Sequence, residues 1–339
     1  MSSFAYYRLP GQSQCICVKS NRAPYELSSY TQLDASMSGY ILAPFHISST
    51  YPLLVIAADF VQVCPIKPVL KPTISVVKQQ VEDASYHDDF QRFHAALETG
   101  TLKKLVLARQ LQVELSDSID SVALFYHACT LYPHAFVSLV STPQSGTWLM
   151  ATPETLLAKR PVGDQWYTMA LAGTMDHSGP WAEKNCLEQR LVADYIETCL
   201  QPHVVQLQRS MPYVRQAAQL YHRCTDFLFV LKPQVNLGNV IADLHPTPAV
   251  CGMPKALAQD FILREEHLHR AYYSGFTGPL NVWKTTHFFV SLRCMQLFDN
   301  RCILYAGGGL LTASNEQSEW NETELKLNTM LNVLQSGTY

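Results

Sequence analysis

Apolar residues along the chain fall into two rhythms. Runs rich in β-branched and aromatic residues, alternating or continuous in the manner of strands, occupy Tyr40–Pro44, Leu53–Ala58, Leu102–Glu114, Ala135–Ser141, Thr147–Lys159, Tyr167–Ala172, Phe227–Leu231, Phe288–Leu297 and Cys302–Ala306. The helical period of about 3.6 residues predicts helices over Val76–Leu97, Ser118–Leu131, Glu183–Leu200, Pro254–His269 and Glu316–Leu334. Strands outnumber helices and do not alternate with them. An α+β fold with large, mainly antiparallel sheets is therefore expected rather than a doubly wound one. No repeat, low-complexity tract or Gly/Ser linker interrupts the pattern, so one unit over residues 1–339 is expected. Residues 1–100 carry strand-like runs without a grouping of reactive side chains and are read as scaffold; residues 101–339 carry the chemistry.

Composition narrows the function classes. Nearly half the residues are apolar and the net charge is −3, which excludes the electrostatic footprint of nucleic-acid binding. The longest apolar runs, Leu53–Ala58 and Phe227–Leu231, fall far short of the roughly 20 residues that span a bilayer. The N-terminus lacks an export pattern, so a soluble, cytoplasmic protein is expected. Ten cysteines are scattered without a CxxC pair and are read as reduced thiols. His267 and His269 diverge on the predicted helix and are read as surface residues.

Several side chains stand where chemistry could be built. Ser314 to Gln317 fits a capping box, and on the helix that follows Glu319, Glu322 and Lys326 share an arc of roughly 60°. From this segment alone, a solvated face with a Glu322–Lys326 ion pair is the plainer reading. Glu188 lies on another predicted helix, where an exposed charge is the plain reading. Were it to meet Glu319 and Glu322, three carboxylates without thiolate or imidazole would suit Mg²⁺. Gly307, Gly308 and Gly309 follow a strand and would let backbone amides approach an anion. Arg293 sits in an apolar strand, either as half of a structural ion pair or as an anchor for a carboxylate. Lys104 and Glu154 also stand among apolar neighbours; surface placement is the plain reading of each, whereas an amine and a carboxyl forced into a dry cleft would make a base–acid pair.

From Leu102 onward the blocks KLVLAR, ATPETLL, LAGT, KNCLEQRLV, LHPTPAVCGMP, YSGFTG, VSLRC, LYAGGG and EWNETELKLNTML resemble, in order, those of the chorismate-utilising enzymes. That family includes isochorismate, salicylate, anthranilate and aminodeoxychorismate synthases. The resemblance implies one α+β domain with two large sheets packed together, helices outside and a site in a cleft between lobes. It implies Lys104 as the base that activates water and Glu154 as the acid that protonates the departing C4 hydroxyl. Glu188 and Glu322 become Mg²⁺ ligands, with Glu319 acting through water or as a further ligand. Arg293, Tyr273, Gly307 and Gly309 grip the enolpyruvyl carboxylate, Gly173, Thr174 and Lys326 surround ring and metal, and His245 lines the ring pocket. Asn185 stands where the family often has an acidic residue, and Gln189 where a histidine often follows the metal Glu.

Lys104 points to water rather than ammonia as nucleophile, and no amidotransferase block is present, so no such subunit is expected. Ala249, where salicylate-forming and amine-forming relatives tend to carry Thr, favours isochorismate as the product. A salicylate synthase and a silent, chorismate-binding regulatory subunit are the alternatives. A monomer is expected, serving menaquinone synthesis or, as the second choice, catechol siderophores.

Overall fold

The computed structural model describes residues 2–33, 36–67, 75–81, 83–161, 163–175, 180–217 and 220–335. Its strands pair into two ten-stranded sheets, every registered pair antiparallel. One sheet is centred on the long pair Lys104–Leu115 and Arg301–Leu310, the other on Gln165–Met175 and Leu220–Leu231. Both take strands from the first hundred residues: Ser3–Arg8 and Gln14–Ser20 enter the first sheet, Gly39–Ala43 and Leu53–Ala57 the second. Between the sheets lies an apolar layer in which Tyr7, Tyr40, Leu54, Trp148, Phe136 and Phe289 are buried. Each such side chain stabilises the sandwich by about 1.5–3 kcal/mol.

Helices close the outer faces. Those labelled α1 to α6 are Asp83–Glu98, Ser121–Leu131, Glu183–Leu200, Leu237–Leu244, Lys255–Glu265 and Glu316–Leu334. Val192 and Ile196 of α3 and Ile241 of α4 pack on the second sheet, while Phe125 of α2 and Leu327 and Leu331 of α6 pack on the first. Phe93 of α1 and Ile262 of α5 meet Leu105 and Leu107 at the start of the Lys104–Leu115 strand. Among the described residues no helix is long and apolar enough to cross a membrane. All ten cysteines are unpaired.

The α+β class and the sheets packed with helices outside agree with the sequence pattern; several boundaries do not. The helix expected over Val76–Leu97 is a strand, Val76–Val81, followed by α1; residue 82 lies outside the described residues. The unpaired edge of Lys104–Leu115 recruits this short run, and pairing with a neighbouring strand overrides local periodicity. Pro254–His269 shortens to α5, so His267 and His269 lie beyond the helix; both are exposed, and His267 Nδ1 bonds the Asp89 carboxylate at 2.7 Å. The cap of α6 is Asn315, whose side chain accepts from the Ser318 amide, whereas the Ser314 hydroxyl accepts from the Leu311 amide. The helix α4 falls in a stretch the pattern left unassigned.

Two further differences matter most. Thr147–Lys159 is two strands, Gly146–Thr152 in the first sheet and Thr155–Lys159 in the second. Phe288–Leu297 is likewise His287–Val290 in the second sheet and Cys294–Leu297 in the first. Pro153 lacks the N–H a ladder needs, so the chain leaves one sheet there and joins the other.

Candidate active site

The two crossings lie side by side. The Val290 amide donates to the Glu154 carbonyl at 3.0 Å, and the Ala151 amide to the Arg293 carbonyl at 2.8 Å. Glu154 and Arg293 are therefore held on irregular backbone between the sheets rather than within a strand, and both line one cleft. That placement frees their side chains from the pleat. Glu154 is 3% exposed and Arg293 8%. Burial pushes the Glu154 carboxyl up to about 8, against the pull of Lys104, Arg293 and Lys326, so it is largely protonated at neutral pH. Burial lowers the Arg293 guanidinium from its ordinary value, and no carboxylate among the described residues forms an ion pair with it. A buried, unpaired guanidinium calls for an anionic ligand.

Lys104 opens its strand from the opposite side, and its side chain is fully buried. Its ammonium lies 2.8 Å from Glu188 Oε1 of α3. On α6 the Glu322–Lys326 pair forms at 2.6 Å, and Lys326 also donates to the Gly307 carbonyl at 2.7 Å. Glu319 sits one layer deeper, paired with Lys184 through Oε1, while its Oε2 is buried without a hydrogen-bond partner. Burial pushes Glu322 up, but Lys326, with Lys184 beyond it, outweighs burial and holds the group below the usual carboxylate range. Burial raises Glu319 despite Lys184. The three carboxylates predicted to hold a cation thus each carry an ammonium instead. No group of three acidic, imidazole or thiol side chains among the described residues is preassembled around a cation position. The donor set still fits a hard cation, since Glu188 and Glu322 line the cleft and Glu319 offers an orphaned oxygen behind them.

Glycine makes the crowding possible. Gly307, Gly308 and Gly309 lie inside the strand Arg301–Leu310, not after it as the sequence reading had them. A Cβ on Gly309 would stand 2.3 Å from Glu188 Oε1 and 3.0 Å from Lys104 Cε. Gly173, at φ +75°, carries the bulge between Ala172 and Thr174, a backbone region that glycine occupies without strain. Thr174 then faces the cleft beside Ala249 and Tyr273. Tyr273 is buried against Tyr305, and burial raises its hydroxyl to about 12. The cleft itself offers about 50 Å³, the scale of a few waters.

Three predicted residues do not line the cleft: Lys104 lies behind it on Glu188, Glu319 one layer deeper on Lys184, and His245 apart from both. His245 precedes Pro246 at the end of α4, edge-on to Tyr30 and Phe276, with Nε2 3.3 Å from the Pro44 carbonyl. Its apolar surroundings make it a core residue. The histidine in the cleft is His222, which the sequence reading missed because it sits in a mixed run without a partner motif. His222 Nδ1 lies 3.2 Å from the Gly173 carbonyl and 3.3 Å from Thr174 Oγ1, and Nε2 is buried without a partner. Burial, with Arg293 and Lys326, drives it down to about 3, so it is a neutral imidazole. Asn185 donates to the Thr174 carbonyl at 3.2 Å, and Gln189 to the Thr225 hydroxyl at 2.7 Å; both support the cleft from behind.

A buried arrangement joins this machinery to the scaffold. Arg270 pairs with Glu266 at 2.6 Å and donates to the carbonyls of Val250 and Val106. Glu266 in turn accepts from the Ala108 amide. The Ala249–Val250 turn and the strand after Lys104 are thereby fixed to each other.

Comparison with known proteins places this geometry. The chain is 29% identical over 276 residues to the isochorismate synthase EntC of Escherichia coli K12, covering 77% of this chain and 70% of that protein. It superposes at a TM-score of 0.84, with 24% identity, on a putative 2,3-dihydroxybenzoate-specific isochorismate synthase, DhbC, from Bacillus anthracis, covering 98% of this chain and 96% of that one. The menaquinone-specific isochorismate synthase MenF from Escherichia coli superposes at the same TM-score, 0.84, with 21% identity over 99% of this chain and 89% of that chain. The model for chorismate binding enzymes matches residues 61–335. The chain belongs to the chorismate binding enzyme family.

Proposed function

We propose that this protein is an isochorismate synthase, an isomerase that converts chorismate to isochorismate with Mg²⁺. The observation that carries the reading is a carboxyl that burial keeps protonated, Glu154, in the wall of a cleft whose Glu188 is held from behind at 2.8 Å by a buried amine, Lys104. Arg293 supplies the unpaired cation that a carboxylate of the substrate requires. Ala249 in the cleft wall supports isochorismate over salicylate as the final product.

Mg²⁺ bound by Glu188 and Glu322, with Glu319 through water, would supply the positive charge that anchors the ring carboxylate. The residues do the rest. Lys104 acts as the base that takes a proton from water as the water oxygen bonds to C2 of the ring. Both conjugated ring double bonds shift by one position, C1=C2 to C6=C1 and C5=C6 to C4=C5, the C4–oxygen bond breaks, and Glu154 gives its proton to that oxygen, which leaves as water. His222 presents an unprotonated Nε2 as acceptor to a ring hydroxyl. Tyr273 and Arg293 fix the side-chain carboxylate. No redox group takes part in this sequence, and ten unpaired cysteines accord with a cytoplasmic enzyme. Relatives specific for menaquinone and for 2,3-dihydroxybenzoate share the fold equally, so the geometry serves either destination.

The test is chromatography of products from chorismate and Mg²⁺ without glutamine or ammonia. Isochorismate is expected. Dominant salicylate with pyruvate would replace the assignment, and turnover only with ammonia would overturn it.

A further inference from the structure

Three carboxylates in this site face three ammoniums. Lys104 holds Glu188, Lys326 holds Glu322, and Lys184 holds Glu319. The first two have other duties in the reading above, Lys104 as base and Lys326 as a donor to the Gly307 carbonyl. Lys184 has none. It stands in the first turn of α3, one turn before Glu188, and reaches across to α6, where Glu319 is 2% exposed. Its aliphatic stem is largely covered, and the side chain keeps 25% of its exposure, so the ammonium can leave toward solvent. Its contact is with the deepest of the three carboxylates, the one whose other oxygen is buried without a partner.

We propose that Lys184 is the resident counter-ion of the metal site: its ammonium occupies Glu319 when no divalent cation is bound, and the cation must displace it. The inference rests on the metal reading of Glu188, Glu319 and Glu322. Lys184 is a positioning residue, not a catalytic one. It supplies the opposite charge that the buried Glu319 would otherwise lack, so that side chain is already in place when the cation arrives. The same contact weakens binding, because the cation must displace an ion pair and tolerate a nearby positive charge.

The experiment is calorimetric titration of the full-length protein with MgCl₂, in the absence of chorismate, for wild type, Lys184→Met and Lys184→Arg. Lys184→Met should bind Mg²⁺ about tenfold more tightly, the scale of removing one screened unit charge near a divalent ion. Lys184→Arg should stay near wild type. In a thermal scan Lys184→Met should melt lower than wild type without metal and gain more on adding Mg²⁺. Equal or weaker Mg²⁺ affinity in Lys184→Met, with its circular dichroism unchanged, would overturn the proposal and leave the metal reading standing. If Lys184→Met fails to fold, Lys184→Gln is titrated against the same expectation. Wild-type protein that takes up no Mg²⁺ with or without chorismate would overturn both.

Discussion

Glu154 offers the sharpest test because its chemistry depends on a single proton. Its carboxyl is raised from 4.5 to about 8, mainly by burial. At pH 7.5 such a group is roughly three-quarters protonated, against about one part in a thousand at the ordinary value, so burial multiplies the competent fraction several hundredfold. The protonated form donates, so kcat/KM measured by isochorismate formation should fall above pH 8, approaching tenfold per unit. Glu154→Gln keeps the volume and removes the proton; its rate should drop below about a hundredth of wild type, and the alkaline limb should vanish. Lys326→Met removes one of the charges that oppose the shift, so the limb should move to higher pH. The fold carries the same signature. A carboxyl raised in the folded state contributes stability that is complete below about 4.5, declines as pH rises, and is gone above about 8. Glu154→Gln should therefore melt higher than wild type at pH 8. An unchanged alkaline limb in Glu154→Gln, or more than a tenth of the wild-type rate, would refute Glu154 as the acid.

Three other perturbations probe separate parts of the site. Glu188→Gln and Glu322→Gln should each raise the Mg²⁺ concentration needed for turnover and cut kcat, with far-UV circular dichroism unchanged; normal activity at limiting Mg²⁺ would exclude them as ligands. Gly309→Ala should fold, since the atoms it meets are side-chain ends, yet lose most activity by pushing Glu188 off Lys104; a crystal structure of the variant reads the displacement. Arg270→Met strands Glu266 as a buried, unpaired charge, and urea denaturation should show a loss of about 3–5 kcal/mol.

Much of this site was legible because motif residues cluster on recognisable elements. The boundaries of α3 and α6 match the periodicity residue for residue, and they place Glu188, Glu319 and Glu322. What the sequence concealed is non-local. Pro153 marks a break in the run from Thr147 to Lys159, but neither that run nor Phe288 to Leu297 shows that the chain passes to the other sheet, because both sheets bury the same kinds of side chain. His222 and His245 are alike as isolated letters, and only the bulge at Gly173 turns one of them toward the cleft. The pairing of each carboxylate with a lysine could not be read either, since Lys104 and Glu188 lie on separate elements far apart in the chain.

The crossings at Pro153–Glu154 and Ser291–Arg293 bear on how the protein comes together. Each sheet owns only part of the cleft, and the acid and the guanidinium sit on two of the covalent threads that stitch the two sheets into one body. Loop-closure entropy must be met across most of the chain before those threads align, so refolding should be slow. A half-folded intermediate with one sheet formed would hold neither Glu154 nor Arg293 in place. Recovery of turnover after dilution from denaturant should therefore track the last structural phase and never lead it, making activity itself the reporter of completed assembly.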